Sequence, residues 1–370
     1  MKDLKIERLE SWSRGKEAPP LRATIIITNR CDLNCLFCRG RFSPKDEVFY
    51  KDELTSDEWI HVAEEGVKMG IKEWEITGGE PLIRSGAVVK VIESIKNLDP
   101  SSRITLTTNG SFLDSKVAKR LVYSGCDVVE IGIDGPNAVI HDFLRGSKGS
   151  FKKATCAVKF LSFIKKKLKK DKPYIIIKTV LNSKNYDKIE KLVLLTSSLG
   201  GNCLKIIPMR IYDENKQLVK KAKLILNNKQ KKEVYKNWEK IEKLGKNLGI
   251  KIEKEFSFGK EEVSKIIPRK EKLKKMKNPF FSAFCYIPFY SLVIDGKGNA
   301  GPCSSIPPTE FFDLPNLRKE NLRKIWYEKF FNSIRKKLLE GKPISEKCKS
   351  CGLVMERENI VKEILKIKRK

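Results

Sequence analysis

Histidine is nearly missing from this chain: His61 and His141 are the only two among 370 residues. No imidazole therefore stands beside the cysteine clusters to complete a zinc site. Long apolar runs are also missing. Nothing approaches the ~18 uninterrupted residues of a transmembrane helix. The opening MKDLKIERLESWSRGK lacks the apolar centre of a secretory leader, so the expected location is cytoplasmic. Acidic residues are in short supply, 46 against 76 Lys and Arg, leaving a net charge of +30. Such a charge attracts nucleic acid, anionic lipid, phosphorylated metabolites or acidic proteins. The lysines are spread along the chain, with dense stretches at 165–172, 216–277 and 366–370. No RNA-binding module and no base-reading stripe of aromatics and Arg accompanies them. The lysines read as a solvated surface, and nucleic acid as a partner rests on charge alone.

Apolar residues make up 40% of the chain and aromatics 9%, enough for one large domain and a smaller appendage. Strand-like runs at 23–28, 73–77, 103–107, 128–133, 174–180 and 203–207 alternate with amphipathic stretches at 56–69, 87–97, 115–123, 151–166 and 185–198. This alternation predicts an α/β fold, a partial (β/α)6 TIM-type barrel with chemistry at the C-terminal ends of its strands. The expected division is an N-terminal segment 1–20, the barrel 21–212, a Lys/Glu-rich helical linker 213–277, a small α+β domain 278–356 and a basic tail 357–370. In the small domain a hairpin is expected around Asp295-Gly296-Lys297-Gly298, followed by an amphipathic helix over 321–339.

Ten cysteines in a reducing compartment point to metal rather than disulfides. Cys126, Cys156 and Cys203 stand alone and read as small buried apolar residues. Cys31, Cys35 and Cys38, in TNRCDLNCLFC after the first strand, can hold three irons of a 4Fe–4S cubane and leave the fourth open. Zinc prefers four closed ligands, and no fourth lies nearby. Cys285, Cys303, Cys348 and Cys351 form a second group. Taken alone, four thiols with one x2 knuckle fit either structural zinc or a fully ligated 4Fe–4S cluster.

The C-x3-C-x2-C loop, with Phe37 before its last cysteine, resembles that of the radical S-adenosylmethionine (SAM) superfamily. Further matches follow in order. Gly78-Gly79-Glu80-Pro81 resembles the family's GGEP segment, which binds the SAM amino group. There the glycines would admit close approach of backbone and Glu80 would accept from the ammonium. Thr107-Thr108-Asn109-Gly110 resembles the element near the ribose. Asp134-Gly135 and His141-Asp142-Phe143-Leu144-Arg145-Gly146 resemble the stretch whose Ser and Arg hold the SAM carboxylate. Gly132 stands where the family has Ser, so only Arg145 carries over. The second cysteine group resembles the twitch domain, a shortened SPASM domain with one auxiliary cluster, since no cysteine follows Cys351. That context favours iron–sulfur over zinc. A GTP cyclase of the molybdopterin type fits less well, because its second cluster usually uses three cysteines.

The resemblance implies three cofactors: SAM, a 4Fe–4S cluster on Cys31, Cys35 and Cys38, and an auxiliary 4Fe–4S cluster on Cys285, Cys303, Cys348 and Cys351. It implies an electron donor such as ferredoxin or flavodoxin. The reaction it implies is hydrogen abstraction from a substrate C–H by a 5′-deoxyadenosyl radical, for net oxidation or C–H functionalisation. The substrate class is an anionic small molecule, a lipid or a protein side chain. About twenty residues precede the first strand, which leaves no expected room for a peptide-binding wing. Peptide or tRNA modification is the alternative, and a zinc- or cluster-bearing nucleic-acid-binding protein the more distant one. No catalytic base is assigned; Lys178, Asn182 and Arg210 near the last strand ends read as ordinary loop residues.

Overall fold

A computed structural model describes residues 3–42, 50–256, 278–306 and 313–351. One sheet organises it. The strands are β1 (Arg22–Ile26), β2 (Glu73–Thr77), β3 (Arg103–Thr108), β4 (Val128–Gly132), β5 (Tyr174–Leu181), β6 (Cys203–Pro208), β7 (Lys251–Lys254), β8 (Ser291–Ile294) and β9 (Ala300–Gly301). Their order is β7-β6-β5-β4-β3-β2-β1-β8-β9. All neighbours run parallel except the β8–β9 hairpin. The helices of the crossovers are α2 (Ser56–Met69), α3 (Ser85–Leu98), α4 (Ser115–Tyr123), α5 (Ala138–Arg145), α6 (Ser150–Leu168) and α7 (Ile189–Leu199). A further helix, α1 (Leu4–Ser13), precedes the sheet.

Local chemistry sets these boundaries. Helix α2 begins in a capping box, with Thr55 and Glu58 satisfying each other's backbone donors, and ends at Gly70 in the left-handed region, φ 98°. Alternation along the strands does the rest. Ala23, Ile25, Trp74, Ile76, Ile104, Leu106, Val129, Ile131, Ile175, Ile177, Leu204 and Ile206 share one core with the helices. The alternate positions lie on the opposite face and include Thr24, Glu75, Thr107, Glu130, Lys178 and Lys205. One face is therefore an apolar core and the other a polar, charged lumen.

The six expected strands are present, and α8 (Asp213–Lys221), α9 (Asn228–Asn247) and β7 follow them. The seventh strand, Lys-Ile-Glu-Lys, is too short and polar to read as one; pairing with β6 at the sheet edge makes it a strand. The expected hairpin is β8–β9, with Val293 opposite Gly301. It does not stand apart, because β8 also pairs with β1, Arg22 opposite Ser291. The expected single helix over 321–339 is two, α10 (Leu322–Tyr327) and α11 (Lys329–Leu339), broken at Glu328, whose backbone is extended. A second core of Ile6, Leu9, Phe280, Phe281, Tyr286, Phe289, Tyr290, Ile334 and Leu338 joins α1 to the C-terminal part. The expected tail 357–370 lies outside the described residues. None of the described helices is long and apolar enough to cross a membrane.

Candidate functional site

Three loops at the C-terminal ends of β1, β3 and β4 converge. The cysteine loop after β1 is fastened to α5 by backbone bonds from Asn34 N to Arg145 O, 3.1 Å, and from Leu36 N to Leu144 O, 2.9 Å. Cys35 is buried, Cys31 half-buried and Cys38 exposed. Asn109, after β3, points Nδ2 at Cys31 Sγ, 3.9 Å, and donates to Asp32 Oδ1, 2.9 Å. Arg145 Nη1 stands 3.9 Å from Cys35 Sγ. Its guanidinium also lies over the Phe37 ring, 5.7 Å from the centroid. The structure thus brings Cys31, Cys35, Phe37, Asn109 and Arg145 together.

Arg145 is positioned by two residues. Asp134 is fully buried, takes a hydrogen bond from Val180 N at 2.7 Å, and puts Oδ2 2.6 Å from Arg145 Nε. Gly132 supplies the space: a Cβ there would lie 2.1 Å from Arg145 Nη2. With glycine at 132, the Arg145 guanidinium occupies the space a side chain there would take. His141 Nδ1 accepts from Asp134 N, 3.1 Å. Burial and the Arg145 charge push His141 down to about 3, so the imidazole stays neutral.

Gly78, Gly79 and Glu80 also make contacts within the protein. Gly78 and Gly79 are needed for contact within the protein: a Cβ would meet Thr28 O at 2.3 Å and Arg30 O at 2.2 Å. They let the two loops touch, with Gly79 N donating to Thr28 O, 2.8 Å. Glu80, expected to accept from a ligand's ammonium, is fully buried. It accepts from Leu82 N at 2.9 Å, Thr108 Oγ1 at 2.6 Å and Asn109 N at 2.7 Å. Burial pushes its carboxyl up to about 7, although these donors pull the other way. Glu80 therefore staples β2 to β3 and sets Asn109. Pro81 opens the short 3-10 turn that Glu80 caps. Asp134 likewise holds Arg145 and offers no free face of its own.

This donor set fits a SAM-bound iron–sulfur cluster. Burial pushes the thiols of Cys31 and Cys35 up to about 12 and about 11. Free thiols so held stay protonated, whereas bound iron favours thiolate. Two side-chain N–H donors face the sulfurs, as second-layer donors to a cluster do. The buried hydroxyl of Ser111, two residues beyond Asn109, has no partner among the described residues. A bound ligand would satisfy it.

Cys285, Cys303, Cys348 and Cys351 line one pocket, walled by Phe284, Ile287, Pro288, Ile306, Leu338 and Ile344. Burial pushes Cys285 up to about 12 and Cys303 up to about 11. Ile287 N donates to Cys285 Sγ, 3.5 Å. Among the described residues no three His, Cys, Asp or Glu side chains are gathered to hold a single metal ion. Four thiols lining one pocket are the donor set that a fully ligated 4Fe–4S cluster uses. Of the lone cysteines, Cys126 and Cys203 are buried as expected, while Cys156 is half-buried.

Sequence reading missed the lumen. Glu130 on β4 accepts from Lys178 Nζ at 2.8 Å and Thr107 Oγ1 at 3.2 Å, with Lys205 Nζ at 3.4 Å. Lys205 also pairs with Glu255, 2.8 Å. Although burial pushes the Glu130 carboxyl up, the two ammonium groups outweigh it and hold it below its usual range. Gly132 is the register partner of Lys178, and Lys178 of Lys205, so this network sits directly below Arg145. The available signal was polar residues at every second position of strands otherwise apolar.

Residues 25–195 match the radical SAM superfamily, and residues 285–352 match the iron–sulfur cluster-binding domain SPASM. An AdoMet-dependent heme synthase of Methanosarcina barkeri is 32% identical over 176 residues, 47% of this chain and 46% of that protein. A GTP 3′,8-cyclase of Lactiplantibacillus plantarum is 39% identical over 112 residues, 29% of this chain and 32% of that protein. The chain therefore spans less than half the length of each of these curated relatives. Among solved structures, Streptococcus suis SuiB bound to S-adenosylmethionine superposes with a TM-score of 0.65 at 15% identity, covering 91% of this chain and 72% of that one. Native anSMEcpe with bound AdoMet and Cp18Cys peptide gives 0.58 at 17% identity, covering 94% of this chain and 96% of that one. At such identities these structures speak to fold alone.

Proposed function

The chain is a radical SAM enzyme with a SPASM iron–sulfur domain, and we propose that it abstracts hydrogen from an unactivated C–H of an anionic substrate, for net oxidation or C–H functionalisation. Two 4Fe–4S clusters and SAM serve this family's chemistry. We assign the SAM-binding cluster to Cys31, Cys35 and Cys38, and the auxiliary cluster to Cys285, Cys303, Cys348 and Cys351. When bound, the first cluster supplies the electron that cleaves SAM, and the second can take up the electron an oxidised substrate gives back.

The observation that carries the reading is the meeting of Cys31, Cys35, Asn109 and Arg145 across three separate strand ends. In the proposed complex Arg145, kept charged by Asp134, holds the SAM carboxylate. Asn109, set by Glu80 and Asp32, orients the nucleoside side, and Phe37 screens the guanidinium from water. Lys178 and Lys205 below Arg145 are both paired with carboxylates, Glu130 and Glu255, so an anionic substrate entering the lumen would bind them by exchange with those acids. A substrate carried on a protein side chain meets the same requirement.

The test is an anaerobic incubation of reconstituted enzyme with SAM, reductant and cell extract, followed by mass spectrometry. The reading predicts 5′-deoxyadenosine together with a substrate changed by loss of hydrogen or by a new bond. A Cys348→Ala/Cys351→Ala variant should still cleave SAM but lose that product. Full product formation without the second cluster would remove its role as electron acceptor.

A further inference from the structure

A buried cation lies beside the four-thiol pocket, and no carboxylate is bonded to it among the described residues. Arg335, on α11, is 3% exposed. Its Nε donates to Pro288 O at 2.9 Å, and its Nη1 to Trp326 O at 2.8 Å and to Asn332 Oδ1 at 2.9 Å. None of these acceptors is charged. Nη2 is buried without a partner among the described residues. Aromatic faces box the guanidinium instead: the ring centroids of Trp326, Trp12 and Phe331 lie 4.2, 4.7 and 5.3 Å away. Carbonyls and ring faces hold a cation without cancelling its charge. Burial pushes the guanidinium down to about 9, so it stays charged at neutral pH. Glu17, whose charge pulls the other way, is exposed.

The same side chain reaches the pocket wall. Pro288 and Leu338 line the cavity together with Cys285, Cys303, Cys348 and Cys351. Arg335 bonds to the carbonyl of Pro288 and lies one turn before Leu338, whose carbonyl accepts from Phe284 N at 2.8 Å. Two bonds from one helix thus clamp the segment 284–288 that carries Cys285. The packing around this contact is apolar and aromatic, with Tyr286, Phe289, Ile334 and Leu338 all buried. In such surroundings a charge acts with far less screening than in water. The pocket also has a lysine in its wall, Lys347, but that one is paired with Glu214 at 3.4 Å.

We propose that Arg335 is a fixed positive charge that raises the reduction potential of the auxiliary cluster on Cys285, Cys303, Cys348 and Cys351, making it a better electron acceptor. The proposal rests on the functional reading above. A 4Fe–4S cluster on four thiolates is an anion, and reduction adds one more negative charge. Net charge is among the quantities that set the potential of such a cluster, and a neighbouring cation favours the more negative form. In the proposed turnover the substrate radical loses one electron and the cluster gains it; no bond is made or broken at Arg335. A strap between Pro288 and Trp326 needs the hydrogen bonds of this side chain but not its charge, so the potential separates the two roles.

The test uses the full chain carrying Cys31→Ala/Cys35→Ala/Cys38→Ala, so that only the second cluster is present. The reconstituted protein is titrated electrochemically under anaerobic conditions, and the reduced cluster is read by electron paramagnetic resonance. In this background Arg335→Met removes the charge, whereas Asn332→Asp cancels it in place by giving Nη1 a carboxylate at the position of the amide oxygen. Asn332 is exposed near the start of α11, where the helix dipole favours an acid, so Asn332→Asp should keep its Tm. The expected result for Arg335→Met is a shift of about tenfold toward the oxidised cluster, a potential ~59 mV lower for one electron. Asn332→Asp should shift it the same way by about threefold or more. An unchanged or raised potential in Asn332→Asp overturns the proposal. That holds even if Arg335→Met lowers the potential, since the loss would then come from disturbed packing, and it holds if Arg335→Met takes up no iron. A parent chain that binds zinc, or no metal, fails the reading of the pocket and the proposal with it. Unchanged potentials with iron in place overturn the proposal alone.

Discussion

Arg145 has room for its guanidinium because position 132 carries no side chain. Gly132→Ser, which restores the residue usual in the family, should therefore damage this enzyme. Its Cβ would displace Arg145 from both Asp134 and Cys35. SAM affinity measured by calorimetry on reconstituted protein should fall by about tenfold, equivalent to ~1.4 kcal/mol, with iron content unchanged. Unaltered affinity would mean that Arg145 does not hold SAM. Glu80 gives a second residue-scale prediction. Glu80→Ala leaves Asn109 N, Leu82 N and the Thr108 hydroxyl without their shared acceptor in a buried place. The loss should be about 3 kcal/mol in urea unfolding, together with weakened SAM binding because Asn109 is no longer set. A change in SAM binding without loss of stability would restore Glu80 to the ligand-facing role that its motif suggests.

Elements, rather than residues, decide how the barrel closes. Asp127 sits at the start of β4 and takes bonds from Lys96 of α3 at 2.7 Å, Lys172 before β5 at 2.5 Å and Ile104 N of β3 at 2.8 Å. Although burial works against its charge, Lys172 and Lys96 hold the carboxyl below its usual range. A lowered carboxyl pKa stabilises the folded state above the unfolded value and loses that contribution as pH falls through the folded one. Asp127→Ala should cost about 2 kcal/mol at pH 7, and the difference from wild type should shrink below about pH 4. A pH-independent difference would contradict the ion pairs. At this scale the sequence was legible where periodicity was strong. The six strands are short apolar runs between amphipathic helices, and the motifs fall at their ends. Lys251–Lys254 was not legible, because a charged four-residue edge strand is defined by its neighbour. Glu130 and the lumen lysines were hidden for a different reason: a strand's inner face shows in sequence only once the helix-packed face is known. The motif glycines were found, but the loop-to-loop contact they also permit was not, since approach of one loop's backbone to another looks the same in sequence as approach to a ligand.

At the scale of the molecule, the SPASM part and the barrel share one sheet. Strand β8 extends β1, Trp326 Nε1 donates to Ala18 O at 2.9 Å, and Arg318 pairs with Glu58 of α2 at 2.6 Å. The exposed Arg318 pair adds little by itself. The shared sheet and the aromatic core around Phe280 and Tyr290 do more. Urea unfolding followed by tryptophan fluorescence and by circular dichroism should give coincident single transitions, and a chain ending at residue 256 should aggregate through the bared edge of β1. Two separate transitions would show the parts to be independent. The central claim, that the loop after β1 and the C-terminal pocket hold two distinct iron–sulfur clusters and that only the first cleaves SAM, is tested most directly by anaerobic reconstitution of wild type beside Cys31→Ala/Cys35→Ala/Cys38→Ala. Wild type should hold about eight irons per chain and form 5′-deoxyadenosine with dithionite, while the variant should hold about four and form none. Zinc in place of iron, or SAM cleavage that survives the loss of all three thiols, would contradict the account.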